Sequence, residues 1–328
     1  MRNYIIKRIL ISIVILFFVA FIIYALMRCL PTSYIESVAR QRSMLPNSKS
    51  FEEWMTQLKD AYNLDDHIIP GFFGWLKNAV TGNFGDSWFY TVPVLEKFND
   101  TVWLSFVMGA ITLVLELVIS IPLGIIAATK QYSKTDYTIS VIALAGISLP
   151  TFFFASLLKL VFSVKLKWFD LYGLVGRNYD QLDAFGQFLD KAHHLVLPIV
   201  TLVVLSIGSL MRYTRTNMLE VLNADYIRTA RAKGLPENKV IYHHAFRNTL
   251  IPLVTIIGGS LPGLFSGALI TETLYMIPGI GYTSYQAMVG GDIPFSMFYL
   301  VFLSVLTLVG NLISDILYAV VDPRVRIS

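Results

Sequence analysis

Residues 225–252 read DYIRTARAKGLPENKVIYHHAFRNTLIP, a polar and basic stretch set between two long apolar runs. At 3.6 residues per turn, Tyr226, Ala230 and Gly234 fall one above another beside Ile227, while Arg228 and Arg231 share the neighbouring flank. A small and aromatic side next to a cationic one is a surface suited to being held. Gly234 supplies the permissive backbone for a helix stop, and the fixed φ of Pro236 suits the first turn of a second helix. The spacing therefore predicts a helix, a sharp Gly-Leu-Pro bend and another helix. The plainer reading is an ordinary basic loop between membrane helices.

The chain around this stretch has a membrane composition. Of its 328 residues 55% are hydrophobic and only 15% charged, with a mean hydropathy of +0.61, whereas soluble domains carry about a quarter charged residues. The apolar residues gather into runs of about twenty, the length a helix needs to cross a bilayer. Six are expected to span, at 9–29, 101–128, 137–163, 194–212, 250–272 and 297–321. The net charge of +4 comes from Lys and Arg placed beside these runs. Nucleic-acid binding needs basic and aromatic side chains interleaved on one surface, so a topology signal is the better reading. Cys29 is the single cysteine, which excludes an intrachain disulfide.

The basic residues orient the chain. Arg2, Lys7, Arg8, Lys130, Lys134, Arg212, Arg215, Arg324 and Arg326 fall on the same side as the 225–252 stretch, and the connection 273–296 holds no Lys or Arg. The positive-inside rule then puts both termini and the basic stretch in the cytoplasm. The sequence ALMRCLP at 25–31 offers no small-x-small cleavage site, so the first span is read as retained. The expected organisation is a transmembrane helix over 1–30, an extracytoplasmic insert over 31–100, and a five-helix core over 101–328 that carries a cytoplasmic loop at 213–249. Loop 164–193 fits least well, with four basic and four acidic residues. In the insert, Phe51, Trp54, Leu58 and Tyr62 sit at helical spacing, and aromatics alternate with glycines over 71–88. A cap packed over the spans is preferred to a soluble binding domain.

Polar and small residues inside the spans are the next candidates. Glu116 lies near mid-span and must face protein or water, either lining a translocation path or packing as a neutral, hydrogen-bonded group. Gly259, Gly263 and Gly267 recur every four residues with Pro262 among them, predicting a bent, side-chain-poor helix face. That face either packs tightly or lines a pore at a moving interface. Pro278, Gly279 and Gly281 surround Ile280 and favour a tight turn, a candidate outer gate or a plain surface loop. Lys159 is expected to snorkel to the membrane surface, Arg212 and Arg215 either to reach lipid headgroups or to pair with a partner protein, and Asp315 to face neighbouring helices. A short helix is expected over Tyr179 to Lys191. His193 and His194 are adjacent and should diverge on a helix, so no metal site is assigned.

RTARAKGL at 228–235 and RNTLIP at 247–252 resemble the coupling loop of permease subunits of ATP-binding-cassette importers, in the oligopeptide and dipeptide branch. Ala230, Gly234 and Pro252 match the general pattern, whereas Arg228 and Thr229 replace its opening Glu-Ala and the gap to the proline is longer. Further likeness lies around Gly82 to Ser87, from Arg212 to Arg215, at Glu272, Pro278, Gly279 and Gly281, and at Asp322-Pro323-Arg324. The resemblance implies an all-α polytopic membrane protein with six transmembrane helices in the type I importer permease fold. It further implies that Tyr226, Arg228, Thr229, Ala230, Arg231, Lys233 and Gly234 engage a partner ATPase.

The expected function is passage of short peptides delivered by an extracytoplasmic solute-binding protein across a bacterial or archaeal cytoplasmic membrane. Expected partners are two ATPase subunits and a second homologous permease subunit, in a heterodimer. No GxxxxGK[ST] phosphate loop occurs in the sequence, nor HExxH or GxSxG. This chain is therefore expected to bind no cofactor, with ATP and magnesium held by the ATPases. Other readings are a permease for nickel, haem or another small solute, and a proton-driven secondary transporter using Glu116, Asp315 and the histidines.

Overall fold

Backbone in hydrocarbon must satisfy its own hydrogen bonds, which a helix does within one segment. The computed structural model describes residues 2–29, 33–44, 49–61 and 67–321, and among them there is no β-strand, only an isolated antiparallel bridge between Asp86 and Pro93. Pro31, Tyr62, the Asp322-Pro323-Arg324 motif and Arg326 lie outside the described residues. The helices are α1 (Arg2–Cys29), α2 (Ser33–Ser43), α3 (Phe51–Ala61), α4 (Ile68–Val80), α5 (Val94–Thr129), α6 (Lys134–Ser148) and α7 (Thr151–Leu158). They continue with α8 (Ala184–Leu222), α9 (Asp225–Ala232), α10 (Glu237–Lys239), α11 (Arg247–Ser260), α12 (Leu269–Tyr275), α13 (Ile280–Val289) and α14 (Ile293–Val321).

Four helices are individually long and apolar enough to cross a membrane, and six spans result if each of two bent pairs counts as one. Both bends lie in segments with an internal proline. Between α6 and α7 the axis turns by 102° just ahead of Thr151, because the Pro150 ring holds Leu149 extended, with ψ at 127°, and so ends α6. The single span expected over 137–163 is therefore two helices at a steep angle. The span expected over 250–272 is also interrupted. Helix α11 stops at Ser260, a tight 3-10 turn runs from Leu261 to Phe265, and α12 begins only at Leu269. Conversely, the helix expected at Tyr179–Lys191 and the fourth span merge. A short 3-10 turn at Tyr179–Gln181 precedes α8, which runs unbroken for 39 residues.

Helices α5 and α8 form the central pair. With 36 and 39 residues at about 1.5 Å rise each, they reach about 54 and 58 Å, well beyond a hydrocarbon core of about 30 Å. Small residues let these helices meet at backbone distance. A Cβ on Gly124 of α5 would lie 2.6 Å from the Thr214 Cβ of α8 and 2.8 Å from the Met211 carbonyl. On another face of α8, Gly208 lies against the Ala143 carbonyl of α6. In a lipid solvent, where apolar burial gains little, such close van der Waals packing is a main source of helix association.

The described residues between α1 and α5 pack against α1 and α14. Ala20, Tyr24 and Met27 of α1, Ile35 and Ala39 of α2, Leu58 of α3, Phe72 of α4, Trp88, and Ile293 and Met297 of α14 form one buried apolar cluster. Phe72 lies at its centre, edge-on to Phe21 and Tyr24 at 5.2 and 5.7 Å. The insert is also tied to α13 and α14 by polar contacts. Buried Asp292 accepts hydrogen bonds from the Ser87 hydroxyl and from the backbone N–H of Phe89 (3.1 Å) and Phe295 (3.1 Å), and the Tyr90 hydroxyl donates to the Thr283 carbonyl at 2.9 Å.

Candidate functional site

A cavity of about 240 Å³ opens between α5, α8 and the broken segment after α11. Its wall includes Ser105, Thr112 and Glu116 of α5, Leu202 of α8, and Gly263 and Gly267 beyond α11. Glu116 is partly exposed within it, consistent with a carboxylate kept off the lipid. The Thr112 hydroxyl, on the same wall, is buried and has no hydrogen-bond partner among the described residues. A few polar groups, Ser105, Thr112, Glu116 and Ser260, on an otherwise apolar lining can orient a polar solute without gripping it.

The glycine stripe read from the sequence is divided among three tasks. Gly259 lies against Ser314 and the Gly310 carbonyl, at a close crossing of α11 and α14. Gly263 faces open space on the cavity wall, and buried Pro262 sits in the 3-10 turn. Gly267 adopts φ +76°, and a Cβ there would fall 2.5 Å from the Gly281 nitrogen. The structure thus brings Glu116, Gly263 and Gly267 to one cavity and leaves Gly259 in a helix contact. A 3.6-residue period holds only while the helix continues, and it stops at Ser260.

Beside the cavity, and sharing Ser105 and Ala268 with its wall, lies a knot around Glu272. This carboxylate is fully buried; Oε1 accepts from the Ser105 hydroxyl (2.7 Å) and the Ala268 N–H (2.9 Å), and Oε2 accepts from the Tyr282 N–H (2.9 Å). Ser105 in turn accepts from the Ile280 N–H at 2.8 Å. Gly279 and Gly281 fit against these groups with no room for a side chain: a Cβ on Gly279 would come within 2.5 Å of Glu272 Oε2. The expectation of a turn made by these two glycines is corrected. Gly279 is the N-cap of α13 and Gly281 lies inside it, whereas the left-handed residue is Met276, with φ 52°, ending α12. Pro278 is exposed beside this turn.

The basic stretch lies at the opposite ends of α5 and α8. Helix α9 turns Ile227 and Ala230 inward, 0% and 6% exposed, against Ile125 and Ala128 of α5, Met218 of α8, and Val240 and Ala245. Ala230 therefore belongs to this chain's own packing rather than to a surface open to a partner. Tyr226, Arg228, Thr229, Arg231, Lys233 and Gly234 are exposed. Gly234 takes φ +73°, a left-handed helix end. Pro236 stands one residue earlier than expected, as the N-cap of α10 with ψ 141°. Across the bend Arg231 donates two hydrogen bonds to Glu237, at 2.8 and 3.3 Å, which hold the Glu237 carboxyl below its usual range. After α10 the chain winds through a π-helical turn, Val240–Phe246, into α11.

Two cations that the sequence assigned to lipid, Arg215 and Lys159, are held within the chain, and Asp315 faces a neighbouring helix as expected. Arg215 donates a bidentate pair of 2.8 Å bonds to buried Asp136, whose oxygens also accept from the Tyr132 N–H and the Ser140 hydroxyl. Lys159 donates to the Leu274 carbonyl at 2.7 Å and lies 3.9 Å from the Tyr172 ring centroid. Asp315 meets Arg8 of α1 at 3.1 Å. Glu116, Asp315 and the histidines thus belong to separate environments. His193 and His194, expected to diverge, instead converge with Asp170. The partners Asp136, Ser105, Asp170 and Asp292 carry no periodic or motif signal and were not legible beforehand.

Long apolar helices around a polar-flecked cavity, with a braced polar elbow at one end, define a helical membrane transport subunit. Residues 120–327 match the family model described as binding-protein-dependent transport system inner membrane component. The chain is 37% identical over 99% of its length, and 100% of the relative, to the oligopeptide transport system permease protein AppB of Bacillus subtilis. It is 33% identical, over 99% of its length and 100% of theirs, to the proteins named OppB of Salmonella typhimurium and Escherichia coli K12. A solved inward-facing methionine transporter, MetNI, aligns with a TM-score of 0.49 at 17% identity, over 68% of this chain and 97% of that one. The chain belongs to the family of binding-protein-dependent transport system inner membrane components and is a multi-pass membrane protein.

Proposed function

We propose that this chain is one of two permease subunits of an importer that moves short peptides across a bacterial cytoplasmic membrane, with both termini inside. Full-length similarity at 33–37% to oligopeptide permeases is the observation that carries this reading. The cavity beside Glu116 supplies part of a peptide path, and an unlike permease subunit would supply the rest. One of two ATPase subunits would grip the exposed face of α9 and its C-cap, where Tyr226, Arg228, Thr229 and Lys233 are available. Because Ile227 and Ala230 are packed on α5 and α8, displacement of α9 is transmitted to both central helices rather than lost in a loose loop. An extracytoplasmic binding protein would dock at the other end, against the cap and the α12–α13 connection. ATP binding and hydrolysis would bias the two permease halves between outward- and inward-open states.

Reconstitution of the chain with its neighbouring permease, ATPase and binding-protein genes in proteoliposomes tests this reading. Uptake of a labelled oligopeptide should require ATP and the binding protein and be unaffected by a pH gradient. Uptake driven by the gradient without ATP refutes it. ATP-driven uptake of nickel or haem with no peptide uptake refutes the peptide assignment alone.

A further inference from the structure

At the end of the molecule away from α9, the loop after α7 folds against the first turns of α8 and the Tyr275 ring, enclosing a cavity of about 10 Å³. That space holds one water molecule or one ion. Asp170, His193 and His194 line it, and one ligand atom from each lies within 4.8 Å of the other two.

The hydrogen bonds fix which ring nitrogens carry the protons. A carbonyl oxygen accepts and never donates, so each ring nitrogen bound to one carries the proton. His194 Nδ1 lies 2.8 Å from the Asp190 carbonyl, and His193 Nε2 lies 3.0 Å from the Trp168 carbonyl. In the neutral rings this leaves lone pairs on His194 Nε2 and His193 Nδ1. The His194 side chain is only 2% exposed, and its Nε2 is 3.2 Å from Asp170 Oδ2, within ion-pair distance, yet makes no hydrogen bond among the described residues. A buried lone pair set against a carboxylate oxygen is repulsive unless a proton or a metal cation lies between them, and the contact lacks the geometry of an N–H···O hydrogen bond.

We propose that Asp170, His193 and His194 bind one divalent cation of the zinc class. Two ligands at about 2.0–2.2 Å from a common zinc centre, subtending about 100°, stand about 3.2 Å apart, which is the Nε2–Oδ2 separation found here. Two imidazoles and one carboxylate without sulfur suit zinc or its first-row neighbours rather than calcium or magnesium. Each ring donates its remaining N–H to a backbone carbonyl, the outer-shell arrangement that orients histidine ligands. Phe169 stacks on His193 at 4.7 Å and restrains that ring. The adjacent histidines converge because the buried His194 ring folds back toward Asp190, one turn earlier, while His193 turns to the Trp168–Asp170 loop. Bound metal would fasten this loop to α8. The Gly173 N–H of the same loop donates to the Tyr275 carbonyl at 2.9 Å, so the clasp lies beside the end of α12.

The site is independent of the peptide assignment and is tested without transport. The full-length chain in lipid nanodiscs is titrated with Co²⁺, read by its visible d–d absorption, and then with Zn²⁺. One equivalent of Co²⁺ should saturate the signal and Zn²⁺ should displace it. Asp170→Asn and His194→Gln should each weaken binding at least tenfold. The double variant His243→Gln/His244→Gln, which removes the other adjacent histidine pair, should keep the one-equivalent signal. The Asp170 side chain is 58% exposed, so its Asn variant folds whether or not His194→Gln does. Absence of saturable binding, undiminished binding by Asp170→Asn, or loss confined to the His243/His244 variant would overturn the proposal.

Discussion

Replacing Glu272 by alanine should loosen the junction where α5, α12 and α13 meet, and the size of the effect follows from its hydrogen bonds. The carboxylate accepts from the Ser105 hydroxyl and from the N–H groups of Ala268 and Tyr282. A hydroxyl can rotate to another acceptor, whereas the two backbone N–H groups are fixed. At about 1–3 kcal/mol for each stranded buried donor, Glu272→Ala should cost about 2–6 kcal/mol. Glu272→Gln preserves the shape and one carbonyl oxygen, which can still serve Ser105 and Ala268. Its NH₂ then faces the Tyr282 N–H, leaving one stranded donor at about 1–3 kcal/mol. The expected order of stability is wild type, then Gln, then Ala. Unfolding of the purified full-length chain in mixed micelles with increasing denaturing detergent measures it. Equal stability of Ala and wild type, or an Ala variant more stable than Gln, would show that Glu272 does not organise this junction.

The Asp136–Arg215 pair invites a double-mutant cycle. Breaking a buried pair costs about 3–5 kcal/mol, and Asp136→Ala should fall toward the low end because the Arg215 side chain is 24% exposed and can rehydrate; additive single losses in the cycle would refute direct coupling. Gly267→Ala should destabilise far more than Gly263→Ala in a thermal melt, since Gly267 has φ +76° and a crowded Cβ position while Gly263 meets nothing within 4 Å. Equal losses would remove the turn from its role. Tyr226→Ala and Lys233→Glu should change stability by no more than about 0.5 kcal/mol yet abolish peptide-stimulated ATP hydrolysis by the assembled complex. Ala230→Asp should instead lower stability itself, and retained coupling in the two surface variants would displace the ATPase contact from α9.

The periodicity of apolar residues was enough to show an all-helical membrane protein, because hydrocarbon leaves the backbone few other ways to pair its polar groups. Local chemistry likewise marked the bend at Gly234, where a left-handed helix end is required. The division of the glycine stripe was not legible. Whether Gly259, Gly263 and Gly267 share a face depends on the helix continuing past Ser260, and long-range packing against α14 and α13 decides that. The convergence of Asp170 with His193 and His194 was hidden for a related reason. Spacing fixes where a Cβ points, but the ring's final direction is set by carbonyls and a loop more than twenty residues away in sequence.

Burial gave Ala230 a different role from the one its spacing implied. Sequence placed it on a face made to be held, and the fold shows that the holder is this chain's own α5 and α8. Arg215 followed the same pattern, since a cation at a helix end reads as a lipid anchor until Asp136 is brought beneath it. Local patterns thus determined the apolar helical runs and the polar elbow, while the breaks after Ser148 and Ser260 and the full length of α8 came from the structure. Only the tertiary structure decided which polar groups pair, because such partners come from distant helices and leave no period in the sequence.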